Sequence, residues 1–403
     1  MQTTTSPRAP GKRPSGEPRL SWSRAWHNNH LRGWIYQAGV LISVIALGAY
    51  LIGNAQQSLS QQGISTGFGF LTGSAGFEIG EKLIEYGSSD SFLRAYGVAL
   101  LNTLKVAVAS IVLATVLGVV AGLGRLSRNL LVQRISSVYI EVFRNTPQLV
   151  QLIFWYTIIT RLPGPRQAIS IDDWAFLSNR GLSIPWWVND AAPWLLLLSI
   201  LAAIALLLPA LRWAYRRRKL TGRAQPLAYA AALAFAALPL LILGLFGPSH
   251  DISVPALKGL NFRGGLTVSP EFLALMLGLS LYIGAFIAEI VRTGVLSISA
   301  GQIEAAQSVG LRPFNIYRRV VFPQALRVMV PPAAGQYVSI VKNSSLGVAV
   351  GYPELFNVTN TIVTLSGHTV EAIAIMMSIY LGISFAIALI MNIYNHHVQI
   401  KER

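Results

Sequence analysis

The chain contains no cysteine, which excludes disulfides, thiolate metal sites and cysteine catalysis. Charge is scarce too. Only 12% of the 403 residues are Asp, Glu, Lys or Arg, about half the fraction of ~25% found in soluble domains. So few charges cannot cover a globule in water. Acidic residues are the scarcest, at 16 against 32 Lys and Arg. The excess of +16 does not read as a nucleic-acid footprint, because the basic residues sit in short loops between apolar runs, as membrane topology requires. No glycine-rich loop ending in Lys-Ser or Lys-Thr occurs, so the chain has no nucleotide site of its own. The six histidines are scattered or terminal, and His396-His397 reads as surface rather than as a metal site.

What the chain has is long apolar runs. Hydrophobic residues make up 53% and the mean hydropathy is +0.52. A span needs about 20 apolar residues to cross roughly 30 Å of hydrocarbon. Runs of that kind fall at about 33–53, 96–122, 135–160, 193–211, 227–247, 270–297, 327–347 and 371–394. They predict an all-α membrane protein of about eight transmembrane helices, because every backbone amide in lipid must be bonded within its own segment. Residues 1–32 form a polar, basic, Pro-rich tail, expected to be disordered. The run at 33–53 is too long for the core of a cleavable signal.

The connecting segments alternate in charge. Arg8, Lys12, Arg13, Arg19, Arg24 and Arg32 precede the first span, and Glu78, Glu81, Glu85 and Asp90 follow it. Basic clusters recur at Arg125, Arg128 and Arg134, then at Arg212, Arg216, Arg217, Arg218, Lys219 and Arg223, then at Arg312, Arg318, Arg319 and Arg327. The segments between these clusters are acidic or near neutral. By the positive-inside rule both termini are expected in the cytoplasm. Trp186, Trp187, Trp194 and Trp213 suit an aromatic belt around the fourth span. Gly118 and Gly122 in the second span, and Gly284 and Ala288 in the sixth, have the spacing that lets helices pack closely. The fourth and fifth spans carry no charge and read as a peripheral insertion. The third, sixth and seventh carry Glu141, Arg144, Glu289, Arg292 and Lys342. A charge in hydrocarbon costs at least ~2.5–3.5 kcal/mol, so these spans are expected to face inward.

The most informative segment is 298–326. Ser299 stands where a helix N-cap is expected, with Gln302 placed to complete a capping box. Gly310 fits a left-handed helix end, and a second short helix is expected at about 314–320, ending before Pro323. Glu304-Ala305-Ala306, three residues, Gly310, nine residues, Val320, one residue, then Phe322-Pro323 resembles the EAA loop of ABC importer permeases. Other stretches are similar to the polar amino-acid permeases of the HisM/HisQ type: NTLKVAVAS in the second span, VFRNTPQLVQLIFWY in the third, AFIAEIVRTGVLSI in the sixth and VKNSSLGVAVGYPEL in and after the seventh. The resemblance covers about 96–160 and 270–400. The N-terminal span at 33–53 and the segment 161–269, read as an insertion with two spans, depart from the five-span pattern of that family. Long, eight-span members are the permeases for general L-amino acids or for glutamate, glutamine, aspartate and asparagine.

The resemblance implies a type I importer permease core in a bacterial inner membrane, forming half of the translocation path for an amino-acid substrate. It implies as partners ABC ATPase subunits, a second permease subunit that is a non-identical homologue, and a periplasmic substrate-binding protein. Glu304, Ala305, Ala306 and Gly310 would form the docking surface for the ATPase, which alone hydrolyses ATP; no cofactor is implied. Along the path, a rise of ~1.5 Å per residue puts Arg144 and Glu289 at similar depth. An ion pair is expected there, either orienting an amino-acid zwitterion or clamping the bundle. Pro147 is expected to kink the third span and free carbonyls. Lys342, Asn343 and Ser344 offer a charge and hydrogen bonds to a substrate, with snorkelling the other reading for Lys342. An ion-gradient-driven secondary transporter and a membrane scaffold are the rival readings. Neither accounts for the EAA spacing.

Overall fold

The computed structural model describes residues 29–61, 67–187, 213, 237 and 252–398. The chain divides into two units, residues 1–68 and 69–403. In the first, α1 (Asn29–Gln61) is a single helix that includes the expected first span, with side chains such as Trp34, Ile42 and Leu47 exposed along it.

In the second unit, α2 (Phe92–Arg125) begins at Ser91, whose hydroxyl accepts the Arg94 amide. Such a cap satisfies one of the amides a helix start leaves unpaired. Asn129 caps α3 (Leu130–Asn145) in the same way, accepting from the Leu131 and Val132 amides. The third span was expected to bend at Pro147. Instead α3 ends at Asn145, and α4 (Gln148–Thr160) starts anew. Thr146 is extended, at φ −100° and ψ 134°, because the proline ring excludes the helical region for the residue before it.

The segment 161–269, expected as spans and loops, carries small antiparallel sheets among its described residues. Strands β1 (Ile169–Ile171), β2 (Ala175–Ser178) and β3 (Gly181–Ile184) pair in order, and β8 (Leu266–Val268) closes the sheet against β3. Trp186 and Trp187 form β4 (Trp186–Trp187), paired with β5 (Ile252–Ser253). A hairpin of β6 (Ala256–Lys258) and β7 (Asn261–Arg263) lies between. The pairing of β4 with β5 brings the two ends of the 188–251 stretch together. Apart from residue 237, the expected fourth and fifth spans, with Trp194, lie outside the described residues.

Helix α5 (Pro270–Leu296) is the centre of the bundle. It is capped by the Ser269 hydroxyl and opened by Pro270, whose missing amide costs nothing at that position. After it come α6 (Ala300–Ser308), α7 (Pro313–Ile316), α8 (Phe322–Asn343), a 3₁₀ turn over Ser344–Val350, α9 (Leu355–Ser366) and α10 (Thr369–Val398). Among the described residues four helical segments are long and apolar enough to cross a membrane: Arg32–Leu51, Phe92–Arg125, Pro270–Leu296 and Thr369–Asn395. Helix α4 is apolar but short, with 13 residues, and α8 carries Arg327 and Lys342.

Helices α2 and α5 run parallel and touch along their small residues. A Cβ at Gly122 would stand 2.5 Å from the Ala288 carbonyl oxygen, and one at Gly118 2.5 Å from Ile287 Cγ2. Gly284 faces the Ala114 carbonyl and the Tyr139 hydroxyl in turn. The spacing of Gly118, Gly122, Gly284 and Ala288 is therefore a packing seam, where main chains approach too closely for larger residues. Gly97, in the same helix, has nothing within 4 Å of its Cβ position. Gly122→Ala should destabilise the purified protein by about 1–3 kcal/mol. Gly97→Ala should be neutral or stabilising by up to about 1 kcal/mol. Thermal unfolding in detergent distinguishes the two, and equal midpoints would exclude the seam.

The end of the bundle where α2 and α5 begin is held by buried polar groups. Asn102 Nδ2 donates to the Glu81 and Pro353 carbonyls at 2.7 and 3.0 Å. The Thr103 hydroxyl accepts the Leu355 amide at 3.0 Å. Glu81 pairs with Lys105 and accepts from the Ser269 hydroxyl. Glu354, fully buried, accepts from the Phe356 and Asn357 amides and the Tyr380 hydroxyl, so it caps α9 and ties it to α10.

Candidate functional site

At the opposite end, where α5 finishes, the chain turns into an elbow. Ser299 occupies the N-cap of α6, but its side chain makes no capping bond; the Gln302 amide goes to the Ser299 main-chain carbonyl at 3.1 Å. The expected capping box is therefore absent. Gly310 takes the left-handed conformation at φ +77°. Its amide bonds the Gln307 carbonyl, and the Leu311 amide bonds Ala306. That geometry stops the helix and returns the chain.

The second arm was expected to end before Pro323. It does not. Helix α7 continues through a π-helical turn at Tyr317–Val321 directly into α8, with Pro323 in its first turn. A proline inside a regular helix lacks an amide and collides with the carbonyl four residues back. A π-turn shifts that register, which lets the chain pass through Pro323. The elbow is thus continuous with α8.

Glu304, Ala305 and Gly310 are exposed, whereas Ala306 is buried. Ala306 packs with Ile316 and Val321 against Val295 and Ile298 at the end of α5. Its place is therefore inside the elbow, holding the two arms together. Three large side chains not singled out from the sequence stand out on the elbow: Val309 at 75%, Phe314 at 72% and Tyr317 at 53% exposure. Their signal was apolar character in a loop otherwise rich in polar residues, close on either side of Gly310.

The polar residues inside the bundle are arranged differently from the depth argument. Glu289 is held by Arg292, one turn on, at 2.6 Å and by Arg125 at 3.1 Å. Arg125 also lies 3.7 Å from Glu141. Arg144 makes no ion pair within 4 Å among the described residues; its guanidinium lies over the Phe286 ring, 5.1 Å from the centroid. Depth along a helix fixes height, not the direction a side chain faces. Arg292 shares a helix face with Glu289 at i,i+3, and the close seam of α2 and α5 brings Arg125 within reach.

Lys342 is exposed in the last turn of α8. Asn343 donates to Gln148 Oε1 of α4 at 2.7 Å. Ser344 is buried, and its hydroxyl donates to the Val341 carbonyl of its own turn. Asn343 thereby joins the end of α8 to the start of α4. The carbonyls freed by Pro147 are not bare either. Gln151 Nε2 donates to Phe143 and Thr146 at 2.9 and 3.0 Å, taking the place of the missing proline amide.

Comparison with known proteins bears on this arrangement. Residues 114–400 match the family described as binding-protein-dependent transport system inner membrane component. The chain is 45% identical over 383 residues to the protein YhdX of Escherichia coli, covering 94% of this chain and 98% of the relative. It is 38% identical over 384 residues to the general L-amino acid transport system permease protein AapQ of Rhizobium johnstonii, covering 95% and 96%. It is 35% identical over 409 residues to the glutamate/glutamine/aspartate/asparagine transport system permease protein BztB of Rhodobacter capsulatus, covering 94% and 96%.

Proposed function

Because the chain belongs to the binding-protein-dependent transport system inner membrane components, we propose that it forms one half of the path by which polar L-amino acids are imported, and that its elbow receives the force of ATP hydrolysis. It is the permease component of an ABC amino-acid importer, a transport subunit rather than an enzyme. It works with ATPase subunits, another permease and a substrate-binding protein.

The observation that carries the coupling role is the elbow. The EAA spacing folds as two arms about Gly310, closed by Ala306 inside and presenting Glu304 and Ala305 outside. A docked partner pushing on those residues would move α8 directly, since the second arm runs into that helix. The exposed Phe314 and Tyr317 supply apolar anchors of the kind that dominate binding energy at interfaces. The alternation of basic and acidic segments supports placing the elbow, and both termini, on the cytoplasmic side. The lengths shared with AapQ and BztB support a general or acidic and amide amino-acid substrate. The ion-gradient reading leaves the elbow without a purpose.

The complete assembly in proteoliposomes should take up labelled glutamate or glutamine only when ATP is supplied on the elbow side. A crosslinker placed at residue 307, beside the proposed docking residues, should capture the ATPase subunit. Uptake that continues without ATP, or an active assembly whose elbow captures no ATPase, would exclude this reading.

A further inference from the structure

The β6–β7 hairpin combines an apolar tip with cations that the chain does not pair. Its register sets Ala256 opposite Arg263, Leu257 opposite Phe262 and Lys258 opposite Asn261, which leaves Gly259 and Leu260 as a two-residue turn. Gly259 is left-handed at φ +71°, as glycine is at the first position of such a turn. Turn residues are normally small or polar. Here the second position is Leu260, 65% exposed, and Leu257 and Val254 are exposed on the same stretch.

Residues opposite one another in an antiparallel pair share a face, and neighbours along a strand alternate between faces. Leu257 and Phe262 therefore face one way, where the Phe262 ring stacks on Phe176 of β2 with centroids 4.6 Å apart. Lys258 and Arg263 share the other face, and both are exposed. Arg180 donates to Asn261 on that face and adds a third positive charge. None of the three makes an ion pair within 4 Å among the described residues, whereas Arg94 and Lys105, at the same end of the bundle, are paired with Asp90 and Glu81.

The hairpin is held close to the bilayer. Only residues 264–268 separate it from Ser269, the cap of α5, and five residues reach at most about 18 Å. Helix α5, with 27 residues, is about 40 Å long. That exceeds the ~30 Å of hydrocarbon, so its ends stand in the headgroup layer. The sheet is fastened to this end, since the β2–β3 turn leaves no room for a Cβ at Gly181 against the Val268 carbonyl. The apolar run expected as the fifth span ends at 247, shortly before β5.

An apolar tip flanked by unpaired cations, tethered beside a bilayer, is complementary in charge and polarity to a headgroup layer that holds anionic lipid. We infer that the β6–β7 hairpin docks in that layer, at the end of the bundle opposite the elbow. Leu260 enters the apolar boundary, and Lys258 and Arg263 lay their carbon stems along it and meet the phosphates of anionic phospholipids. The contact holds the sheet, and with it the start of α5, at a fixed height. This rests on the membrane location of the chain and not on what it imports.

The test uses the absence of native cysteine. A nitroxide is attached through Leu260→Cys in the full-length chain in nanodiscs, and through Gln307→Cys on the elbow as the reference in water. Collisions with oxygen, which concentrates in lipid, are compared with collisions with a water-soluble nickel chelate. In discs of phosphatidylcholine containing one part in three of phosphatidylglycerol, the oxygen-to-nickel ratio at 260 should exceed that at 307 at least threefold. It should fall at least twofold when phosphatidylglycerol is left out, and likewise when Lys258→Glu and Arg263→Glu are combined. Equal ratios at 260 and 307 overturn the inference, as does a ratio at 260 that ignores both phosphatidylglycerol and the charge reversal. A label at 260 shielded from both reagents also overturns it and marks a protein as the occupant. If Leu260→Cys does not fold, a label through Ala256→Cys, on the cationic face, decides by the same criteria.

Discussion

Glu304→Lys is expected to reduce ATP-driven amino-acid uptake by tenfold or more while leaving the chain folded and in the membrane. Glu304 is exposed on α6 and makes no ion pair within the chain among the described residues. Its replacement therefore removes nothing that holds the elbow, whose closure depends on Ala306, Ile316 and Val321. If a basic groove of the ATPase receives this face, a lysine there sets like charges against each other. Such juxtaposition costs several kcal/mol, and each ~1.4 kcal/mol lost from the docking energy weakens association about tenfold. The measurement is twofold: co-purification of the ATPase subunit, and uptake into proteoliposomes. Both should fall together, with the unfolding midpoint unchanged. Retained uptake would remove Glu304 from the interface.

A second large effect is expected at the other end of the bundle. The Glu354 carboxylate accepts two amides at 2.8 Å and the Tyr380 hydroxyl at 2.7 Å, with no exposure to solvent. Glu354→Ala removes the cap of α9 and leaves the Tyr380 hydroxyl buried without its acceptor. A lost cap costs about 1 kcal/mol and each stranded buried group about 1–3 kcal/mol. A loss of roughly 2–4 kcal/mol follows, read as a lower unfolding midpoint in detergent. Glu354 also carries a pH signature. Burial pushes its carboxyl up from 4.5 to about 6, against the pull of the three donors. Between those values the folded chain binds a proton that the unfolded chain has released, so stability falls as pH rises through that window. The protein should gain up to about 2 kcal/mol between pH 7.5 and pH 4.5 from this group. Glu354→Gln should flatten that part of the profile, and an unchanged slope would show that another group sets it.

The two effects lie at opposite ends of the same bundle and differ in kind. At the elbow the interactions that matter are made with another subunit, so the residues stand free and their loss affects coupling. At the far end they are made within the chain, so their loss affects folding. The seam of Gly118 and Gly122 lies between, and allows α2 and α5 to connect both ends as one body.

Composition and periodicity alone determined that the chain is helical and belongs in a membrane, because a low charge content and long apolar runs admit no other way to satisfy a backbone. The elbow was legible for a similar reason. Gly310 must be left-handed to end α6, and that requirement is local to a few residues. The close packing of Gly118 and Gly122 was legible as well, since only small side chains permit it.

Which partner each charged or polar side chain finds was decided by tertiary structure alone. Arg144 and Glu289 have matching depth, yet Glu289 turns to Arg292 and Arg125, because azimuth is set by how helices are rotated against one another. Ala306 reads like its neighbour Ala305 and lies on the opposite face of the elbow. Pro147 announced a disturbance in the third span, but not that the helix would stop, nor that Gln151 would fill the gap. Pro323 announced a stop that a π-turn removed. Hydrogen bonds and ion pairs act over a few ångströms, between residues far apart in the chain, and so they are fixed only once the helices have packed.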